Sequence, residues 1–512
     1  MAKKVAVIGG GSSGLCVIKC CLDEGLEPTC FESSDDIGGL WRFKEDPEAD
    51  RASIYKSVII NTSKEMMCFS DYPIPEEFPN YMHNSKIMEY FRMYAKHFNL
   101  LKYIRLKTKV CSVQKRPDFP STGQWDVVTE TDGKKESSIF DGILVCTGHH
   151  THPHMPLHCF PGMGLTILKN TTPKLLPIKY HPPSSLCLAQ VFLSTRRGAW
   201  VLNRVGDEGY PVDIVLTSRA KAFFSQQMTK SMVNAWAEKR LNARFNHSHY
   251  SLRPQHRILN QHPTINDDLP NRIISGRVLV KPNIREFTET AAIFEDGTKE
   301  NIDVVVFATG YSFSFPFLEN CVRVVENEVS LYKFVFPPHL EKPTLAIIGL
   351  VQPLGAIMPI SEMQARWATR VLTGLAKLPS ASDMMADITQ KKVDMAKRYV
   401  KSPRHTIQVD FVEYMDEVAC QAGVKPSLPS LFLTDPKLAW EVFFGPCTPY
   451  QYRLEGPGKW DGARKAILTQ QERILKPMKT RVVKDSPNQA SVPFLFKLIG
   501  IVALFAVVLA YF

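Results

Sequence analysis

The stretch KVAVIGGGSSGLCVIKCCLDEGLEPTCFE, residues 4–32, constrains the fold of this chain more than any other segment. Its apolar pattern predicts a strand over 4–8, then a G-x-G-x-x-G turn, then a helix over 15–22 and a second strand over 28–31 that ends at an acid. Glycines at this spacing let the backbone approach a pyrophosphate, and the helix N-terminus offers unpaired N–H groups. This order of elements predicts a Rossmann-type dinucleotide site.

The acid at the end of the second strand restricts which dinucleotide can bind. Glu32 is expected to accept hydrogen bonds from the adenosine ribose, and an acid disfavours a 2′-phosphate, so NADPH is not expected at this loop. FAD and NAD both remain open from the residues alone. The residues expected to line the site are Gly9, Gly10, Gly11, Ser12, Ser13, Gly14 and Glu32.

Two similar apolar segments suggest how the chain is divided. FDGILVCTGHH (140–150) and IDVVVFATGYSF (302–313) both read as strands that end in Thr-Gly. A chain of 512 residues exceeds the roughly 250–300 that one hydrophobic core can serve. The pair of segments therefore predicts that the chain leaves one domain and re-enters it, with a second domain inserted between.

Charge and cysteine usage exclude several classes of protein. The net charge is +11, but the basic residues are dispersed and no zinc-finger or RNA-binding signature accompanies them, so no nucleic-acid partner is expected. The chain has 12 cysteines and no C-x-x-C, so neither a metal site nor a redox dithiol is predicted. A reducing, cytosol-facing compartment fits these cysteines.

The C-terminus, SVPFLFKLIGIVALFAVVLAYF, is apolar on all sides. A helix over 498–512 would be roughly 22 Å long, and one that begins at Phe494 roughly 28 Å, close to the ~30 Å hydrocarbon core. The absence of a polar stripe argues against a buried core helix. We expect a membrane anchor at 491–512, either spanning or interfacial, and KPMKTRVVK (476–484) either faces anionic headgroups or forms a solvated loop.

Ordered motifs along nearly the whole chain resemble the flavin-containing monooxygenase family, of the vertebrate membrane-bound dimethylaniline monooxygenase (N-oxide-forming) type, and most of all the fifth mammalian form. The matching motifs are GGGSSG, EGLEPTCFE, DIGGLWRF, ASIYKSV, NTSKEMMCFSDYP, FATGYSF, FGPCTPYQYR and GPGKWDGARKAI.

The resemblance implies an α/β fold with two Rossmann-type domains, a discontinuous one for FAD and an inserted one for NADPH, followed by a C-terminal hydrophobic helix. The expected divisions are 1–155 and 331–445 for the FAD domain, 156–330 for the inserted domain with an aberrant tract at 163–190, 446–490 for an extension and 491–512 for the anchor.

The resemblance also implies an activity. NADPH would reduce the flavin, and one oxygen atom of O2 would pass through a C4a-hydroperoxyflavin to a soft nitrogen or sulfur nucleophile or to a ketone. The expected partners are small lipophilic amines, sulfides or ketones, O2 and the endoplasmic reticulum membrane, with the catalytic domains facing the cytosol; a homo-oligomer is also compatible with the family.

Site residues are transferred from the family by position. Asn61 in IINTS is implied as the catalytic amide near the flavin and the nicotinamide, because an amide both donates and accepts hydrogen bonds without titrating. From position alone, Asn61 could instead be a turn residue. Further cofactor contacts are expected from Gly39, Leu40, Trp41, Ile60, Asn61 and Thr62.

One family motif is missing. The second glycine loop, for NADPH, should lie between FPG (160–162) and STRRGAW (194–200), but no glycine occurs from 165 to 197, and Thr166 stands where the family's F-x-G-x-x-x-H pattern has histidine. Four prolines in 172–183 exclude a regular helix there.

Two hypotheses follow from the missing loop. In the first, Arg196 and Arg197 remain to bind the 2′-phosphate of NADPH, unless they are solvated charges. In the alternative, the chain is a membrane-anchored FAD-binding protein without NADPH-dependent catalysis. A disulfide reductase would need a cysteine pair beside the flavin, whereas Cys16 and Cys20 fall on the first helix.

Overall fold

The structure is a computed structural model that describes residues 2–46, 54–160, 190–318, 321–402 and 405–481. The expected anchor at 491–512, and the aberrant tract at 163–190 apart from its last residue, lie outside these described residues.

The strands alternate with helices through the first 150 residues and are short elsewhere. They are β1 Lys4–Ile8, β2 Glu27–Phe31, β3 Ile104–Arg105, β4 Thr108–Lys115, β5 Trp125–Thr131, β6 Lys134–Phe140, β7 Gly142–Val145, β8 His152–Pro153, β9 Val191–Ser194, β10 Val201–Leu202, β11 Thr264–Ile265, β12 Val278–Lys281, β13 Ile284–Phe287, β14 Ala291–Phe294, β15 Lys299–Asn301, β16 Tyr311–Ser312, β17 Val324–Val325, β18 Glu328–Val329, β19 Leu345–Ile347, β20 Gln352–Pro353 and β21 Gln408–Val409.

The helices dominate the second half of the chain. They are α1 Ser12–Asp23, α2 Lys64–Met67, α3 Asn84–His97, α4 Phe119–Thr122, α5 Val212–Leu216, α6 Arg219–Gln227, α7 Lys230–Arg244, α8 Leu269–Ile274, α9 Met358–Thr373, α10 Ala381–Arg398, α11 Phe411–Ala422, α12 Leu428–Thr434, α13 Pro436–Phe444 and α14 Ala463–Leu475.

A parallel five-stranded sheet forms the centre of the fold, in the order β19-β7-β1-β2-β3. β1 is buried at 5–8 and pairs with β2 on one side and β7 on the other, as expected for a strand covered on both faces. The predicted strand, helix and strand at the N-terminus are confirmed, with α1 beginning three residues earlier than expected. β19 comes from far along the chain, so residues beyond 330 complete a sheet begun by the first 150.

α9 is the central helix of the core. Residues 358–369 of this helix are all buried, and it packs against both α1 and α11. A helix buried on nearly every side fits the middle of a large core rather than its surface. The C-terminal helices therefore cover the same sheet that carries the glycine loop.

The inserted segment contains smaller sheets. Its parallel pairs are β9–β12 and β10–β11, and β13, β14 and β15 form an antiparallel sheet. Among the described residues, β9–β12 and β10–β11 are the only parallel strand pairs of the inserted segment, where the second Rossmann-type domain is expected. The domain boundaries themselves stay a prediction.

The strand predicted to end at Thr309-Gly310 is wrong. Residues 303–310 have no strand pairing in the described part of the chain, and the strand Tyr311–Ser312, which pairs with His152–Pro153, begins only after them. Val304 and Val306 are 63% and 58% exposed. The apolar pattern predicts a buried strand, but a strand forms only where neighbouring backbone pairs with it.

Membrane-spanning elements are not found in the part of the chain that the structure describes: none of its helices combines the length and the apolar character needed to cross a bilayer.

A buried ionic cluster ties the C-terminal extension to the core. The Arg453 guanidinium lies 2.7 Å from a Glu362 oxygen and 2.9 Å from an Asp71 oxygen, and its Nε donates to Ser70 Oγ at 2.6 Å. Lys19 of α1 approaches the same Asp71 carboxylate at 2.5 Å. Because these charges are away from water, each depends on its partners to offset the cost of desolvation.

Replacing Arg453 with methionine is expected to lower the free energy of unfolding by about 3–5 kcal/mol, because Glu362 and Asp71 would be left buried without their shared cation. Chemical denaturation of the full chain measures this change. Arg272→Met, in an exposed ion pair with Asp268, is the control and should change stability by less than about 0.5 kcal/mol. Equal effects of the two substitutions would contradict the structural role of the cluster.

Candidate functional site

The glycine loop lies at the carboxyl end of β1, where α1 begins. Gly9 has φ +106°, a left-handed conformation, and a Cβ there would lie 2.7 Å from the Cys146 carbonyl oxygen at the end of β7. A Cβ on Gly14 would lie 1.9 Å from the Gly9 carbonyl oxygen. No larger residue fits at either position, because α1 packs directly on the turn.

Gly11 behaves differently from these two glycines. It precedes α1 with an extended backbone, φ −77°, and a Cβ on it would lie 3.6 Å from Gly39 Cα, an ordinary contact distance. The protein itself therefore does not require glycine at this position. The absence of a side chain brings the Gly11 backbone against Gly39, and residues 11–13 at the first turn of α1 are half-buried.

The DIGGLW segment lies against the glycine loop. The Gly38 N–H donates to the Gly10 carbonyl at 3.0 Å, and residues Gly39–Trp41 form a half-buried turn of 3₁₀ helix. Trp41 packs against the main core. The hydrogen bond from Gly38 to Gly10 joins two predicted segments of the site that are about 30 positions apart in the sequence.

Glu32 is buried at the end of β2. One carboxylate oxygen accepts from the Gly10 N–H at 2.7 Å and the other from the Ser34 N–H at 2.8 Å. Glu32 thus uses both carboxylate oxygens to bind the loop backbone, and it lies where the sequence predicts the ribose site.

The Asn61 loop, residues 60–64, precedes the short helix α2. Ile60 is buried and its N–H donates to the Met82 carbonyl at 2.9 Å, whereas Asn61 is exposed and Thr62 is half-buried. The Lys64 N–H donates to the Asn80 carbonyl at 2.9 Å. Backbone pairing with residues 80–82 thus presents the Asn61 amide outward from a fixed loop.

Residues of the C-terminal extension also form hydrogen bonds with helix α2. Glu65 is buried, and its carboxylate accepts from the Tyr450 hydroxyl at 2.6 Å and from Arg473 Nε at 3.1 Å. Lys64 is also buried, and its Nζ donates to the Phe78 carbonyl at 2.9 Å. Burial lowers the pKa of Lys64 to about 8, against the opposing effect of Glu65.

Arg196 and Arg197 lie in the inserted segment, just after β9, and both are exposed. The chain turns sharply after them at Gly198, where a Cβ would lie 2.5 Å from the Leu252 carbonyl oxygen. Burial lowers the pKa of His256, and Arg197 lowers it further. The described contacts do not bring these arginines to Asn61 or to the glycine loop.

His149 follows the buried strand β7. Burial lowers its pKa to about 3, with a further lowering from His150. A histidine with this pKa stays neutral near pH 7 and cannot supply a proton there. This agrees with a structural rather than a catalytic histidine.

Sequence reasoning missed two groups of residues near the site. Gly349, after β19, has φ +81°, and a Cβ there would lie 2.6 Å from Ser13 Oγ, which itself donates to Ser361 Oγ at 3.0 Å. The apolar run before Gly349 was a usable signal for a strand that ends at the glycine loop. Asp213, which contacts the residue after Thr62, carried no signal, because the contact joins segments 150 residues apart.

The family model described as "FMO-like: Flavin-binding monooxygenase-like" matches residues 2–170 and 183–512. Residues 171–182, which it leaves unmatched, fall inside the tract where the sequence lacks the second glycine loop.

Two relatives match over the full chain. "Flavin-containing monooxygenase 5" of Oryctolagus cuniculus is 60% identical over 534 positions, covering 100% of this chain and 99% of the relative. "Dimethylaniline monooxygenase (N-oxide-forming) 2" of Mus musculus is 52% identical, with 100% and 99% covered. The higher identity to the form 5 protein agrees with the predicted similarity to the fifth mammalian form.

A solved structure, "Structure of S-allyl-L-cysteine S-oxygenase from Allium sativum", has a TM-score of 0.57 and 23% identity, and the match covers 93% of this chain and 99% of that one. At this level of identity the likeness supports the mixed α/β fold alone.

Replacing Gly11 with alanine is expected to leave the fold intact and to reduce bound flavin at least about 10-fold, because the added methyl group, 3.6 Å from Gly39 Cα, would crowd the first turn of α1 that a pyrophosphate would approach. Replacing Gly14 with alanine should instead destabilise the protein by about 3 kcal/mol, through the clash with Gly9.

The flavin-to-protein absorbance ratio and the melting temperature of the two variants separate these effects. Full flavin content in Gly11→Ala, or wild-type stability in Gly14→Ala, would contradict the assignment of the two glycines.

Proposed function

The chain belongs to the flavin-binding monooxygenase-like family, and from this premise we propose that it is an FAD- and NADPH-dependent monooxygenase that transfers one oxygen atom from O2 to soft nitrogen or sulfur nucleophiles or to ketones. The observation that carries this proposal is the family match on both sides of the proline-containing tract. For the same reason the alternative, a flavoprotein without catalysis, is not favoured.

FAD would bind at the glycine loop. The first turn of α1, where residues 11–13 are half-buried, would receive the pyrophosphate, because its N–H groups point out of the helix end. Glu32, which binds the Gly10 and Ser34 N–H groups, would accept hydrogen bonds from the ribose hydroxyls. The half-buried Leu40 and Trp41 would cover the cofactor from the opposite side.

Asn61 would act at the reacting end of the cofactors. Bound FAD supplies the oxygen chemistry, and the protein orients the groups around it and excludes water. The exposed Asn61 amide both donates and accepts hydrogen bonds and does not change charge with pH. Its loop is anchored by Ile60 and Lys64, so the amide can hold one orientation.

NADPH would be recognised in part by Arg196 and Arg197. Their exposure after the parallel strand β9 leaves two guanidinium groups free to approach a 2′-phosphate. The contact of these two arginines with the 2′-phosphate would contribute more to NADPH recognition here than in a protein whose second glycine loop also binds the pyrophosphate.

Membrane attachment through residues 491–512, at the endoplasmic reticulum with the catalytic part facing the cytosol, belongs to the same proposal. It is supported by the apolar C-terminal sequence. Large apolar side chains are also exposed on three helices: Phe223 and Phe224 on α6, Met232 and Trp236 on α7, and Phe432 and Leu433 on α12. Exposed apolar groups of this size favour contact with a membrane or a protein.

In an anaerobic titration of the FAD-loaded full chain, NADPH is expected to bleach the absorbance of oxidised flavin. The double substitution Arg196→Met and Arg197→Met should raise the NADPH concentration for half-reduction at least about 100-fold, since each of the two charge-assisted bonds contributes about 1.5–3 kcal/mol. The response to NADH, which has no 2′-phosphate, should not change.

The control is Arg285→Met, an exposed arginine of the same inserted segment, which should behave as the wild type. Flavin that stays oxidised with millimolar NADPH would refute the proposed activity. Equal losses with NADPH and NADH would refute only the role of the two arginines.

Removal of residues 491–512 is expected to release at least about nine-tenths of the chain from anionic phospholipid vesicles, because the ~28 Å apolar segment would be lost. Flotation of the full and shortened chains with such vesicles measures this. Full retention of the shortened chain would show that other surfaces, such as those on α6 and α7, are sufficient for binding.

A further inference from the structure

Ser63 connects the Asn61 loop to a distant part of the chain. It is fully buried, two residues after Asn61. Its N–H donates to Asp213 Oδ2 at 2.7 Å, and its hydroxyl donates to the same oxygen at 2.9 Å. Asp213 belongs to α5 in the inserted segment, so one carboxylate oxygen joins the two parts of the molecule next to the proposed catalytic amide.

The other hydrogen bonds of this loop come from nearby in sequence. Ile60 and Lys64 are bound to the carbonyls of Met82 and Asn80. These contacts do not involve the inserted segment. In the described part of the chain, the two hydrogen bonds from Ser63 to Asp213 join the loop to the inserted segment.

The position of Asp213 is itself well defined. Its second oxygen, Oδ1, accepts from the Ile214 N–H at 3.0 Å, which orients the carboxylate. The preceding residue, Val212, donates its N–H to the Tyr81 hydroxyl at 3.0 Å, and that hydroxyl donates to the Arg204 carbonyl at 2.6 Å. Tyr81 directly precedes Met82, whose carbonyl accepts from the Ile60 N–H. Both segments of the loop region therefore contact α5.

We infer that Asp213 is a positioning residue, whose carboxylate holds Ser63 and thereby couples the orientation of the Asn61 amide to the docking of the inserted, NADPH-side segment. This role rests on the proposed function of Asn61. The Asp213 carboxylate would be a specific hydrogen-bond acceptor at the junction where the hydride donor and the oxygen-transferring centre would have to meet. Docking of the inserted segment would then both bring its cofactor and order the loop.

The electrostatics of the junction agree with this geometry. Burial raises the pKa of Asp213 to about 6, against the lowering effect of its bonds from Ser63. The titratable and charged groups beside it are Tyr81, Arg204 and Asp267; burial raises the pKa of Tyr81, and Asp213 raises it further. Arg204 is paired with Asp267, so it is not dedicated to neutralising Asp213.

The sign of the pH effect follows from the raised pKa. The folded protein retains a proton on Asp213 that the unfolded chain, with a pKa near 3.9, releases from about pH 4 to 6. The contribution of Asp213 to stability therefore decreases as pH rises through this window. Asp213→Asn, which carries no charge, should lack this dependence.

Hydrogen–deuterium exchange of the FAD-loaded full chain tests the inference without requiring turnover. In Asp213→Leu the amides of residues 60–64 should exchange about 10-fold faster or more, because Ser63 loses both bonds. In Asp213→Asn they should stay near the wild-type rate, since the amide oxygen can still accept from Ser63. Ser63→Ala, which keeps the N–H bond, should fall between the two.

A matched control comes from the same segment. Tyr210 accepts at its hydroxyl from Gln471 of α14 at 3.0 Å, away from the Asn61 loop, so Tyr210→Phe should leave the exchange of residues 60–64 unchanged. Unchanged exchange in Asp213→Leu, or equal loosening in Asp213→Asn, would overturn the inference. If Asp213→Leu does not fold, Ser63→Ala carries the test, and wild-type exchange there would overturn it.

Turnover provides a second readout. Asp213→Leu should lower kcat and raise the fraction of NADPH oxidised without product, measured as released hydrogen peroxide, and Asp213→Asn should restore both. A residue with a merely structural role would lower the melting temperature without changing that fraction. If the wild-type chain does not oxidise NADPH, the proposed function fails, whereas the exchange measurements still decide whether Asp213 positions the loop.

Discussion

The close packing of α1 on the turn that follows β1 is the contact on which the rest of this structure depends. At Gly14 there is no room for a single additional carbon atom against the Gly9 carbonyl, and a Cβ on Gly9 would lie 2.7 Å from the Cys146 carbonyl oxygen at the end of β7. These contacts fix the helix N-terminus at the edge of the parallel sheet. The Gly10 carbonyl then binds DIGGLW, Glu32 binds the loop backbone, and Gly349 meets Ser13. One steric constraint thus assembles residues from three distant parts of the chain.

The Asn61 loop is built by a different principle. Polar groups of α2 and the residue before it are buried, and each is satisfied from a separate part of the chain: Ser63 by Asp213, Lys64 by the Phe78 carbonyl, and Glu65 by Tyr450 and Arg473. Leaving any of them without a partner is costly in a buried position. The loop that presents Asn61 is therefore bound by both the inserted segment and the C-terminal extension.

One apolar run of the inserted segment does not form the strand that its composition predicts. The apolar run around Val304 and Val306 has the composition of a central strand, yet these side chains are exposed and the backbone is not paired with a described strand. The segment nevertheless keeps the contacts of Asp213, Val212 and Arg204 with the loop region. The inserted segment thus contacts the loop region although its run around Val304 does not form a strand in the described part of the chain.

The sequence by itself determined the first glycine loop, the strands and helix around it, the acid at Glu32 and the family, because these depend on local spacing and on an ordered series of motifs. It also showed that the second loop is missing. The apolar run before Gly349 was a usable signal for a strand, but the sequence could not identify Ser361 or Asp213 as neighbours of the site. Their contacts join residues more than 100 positions apart, which only the tertiary structure brings together. The exposure of Val304 was also decided by the tertiary structure, because an apolar run forms a strand only where neighbouring backbone pairs with it.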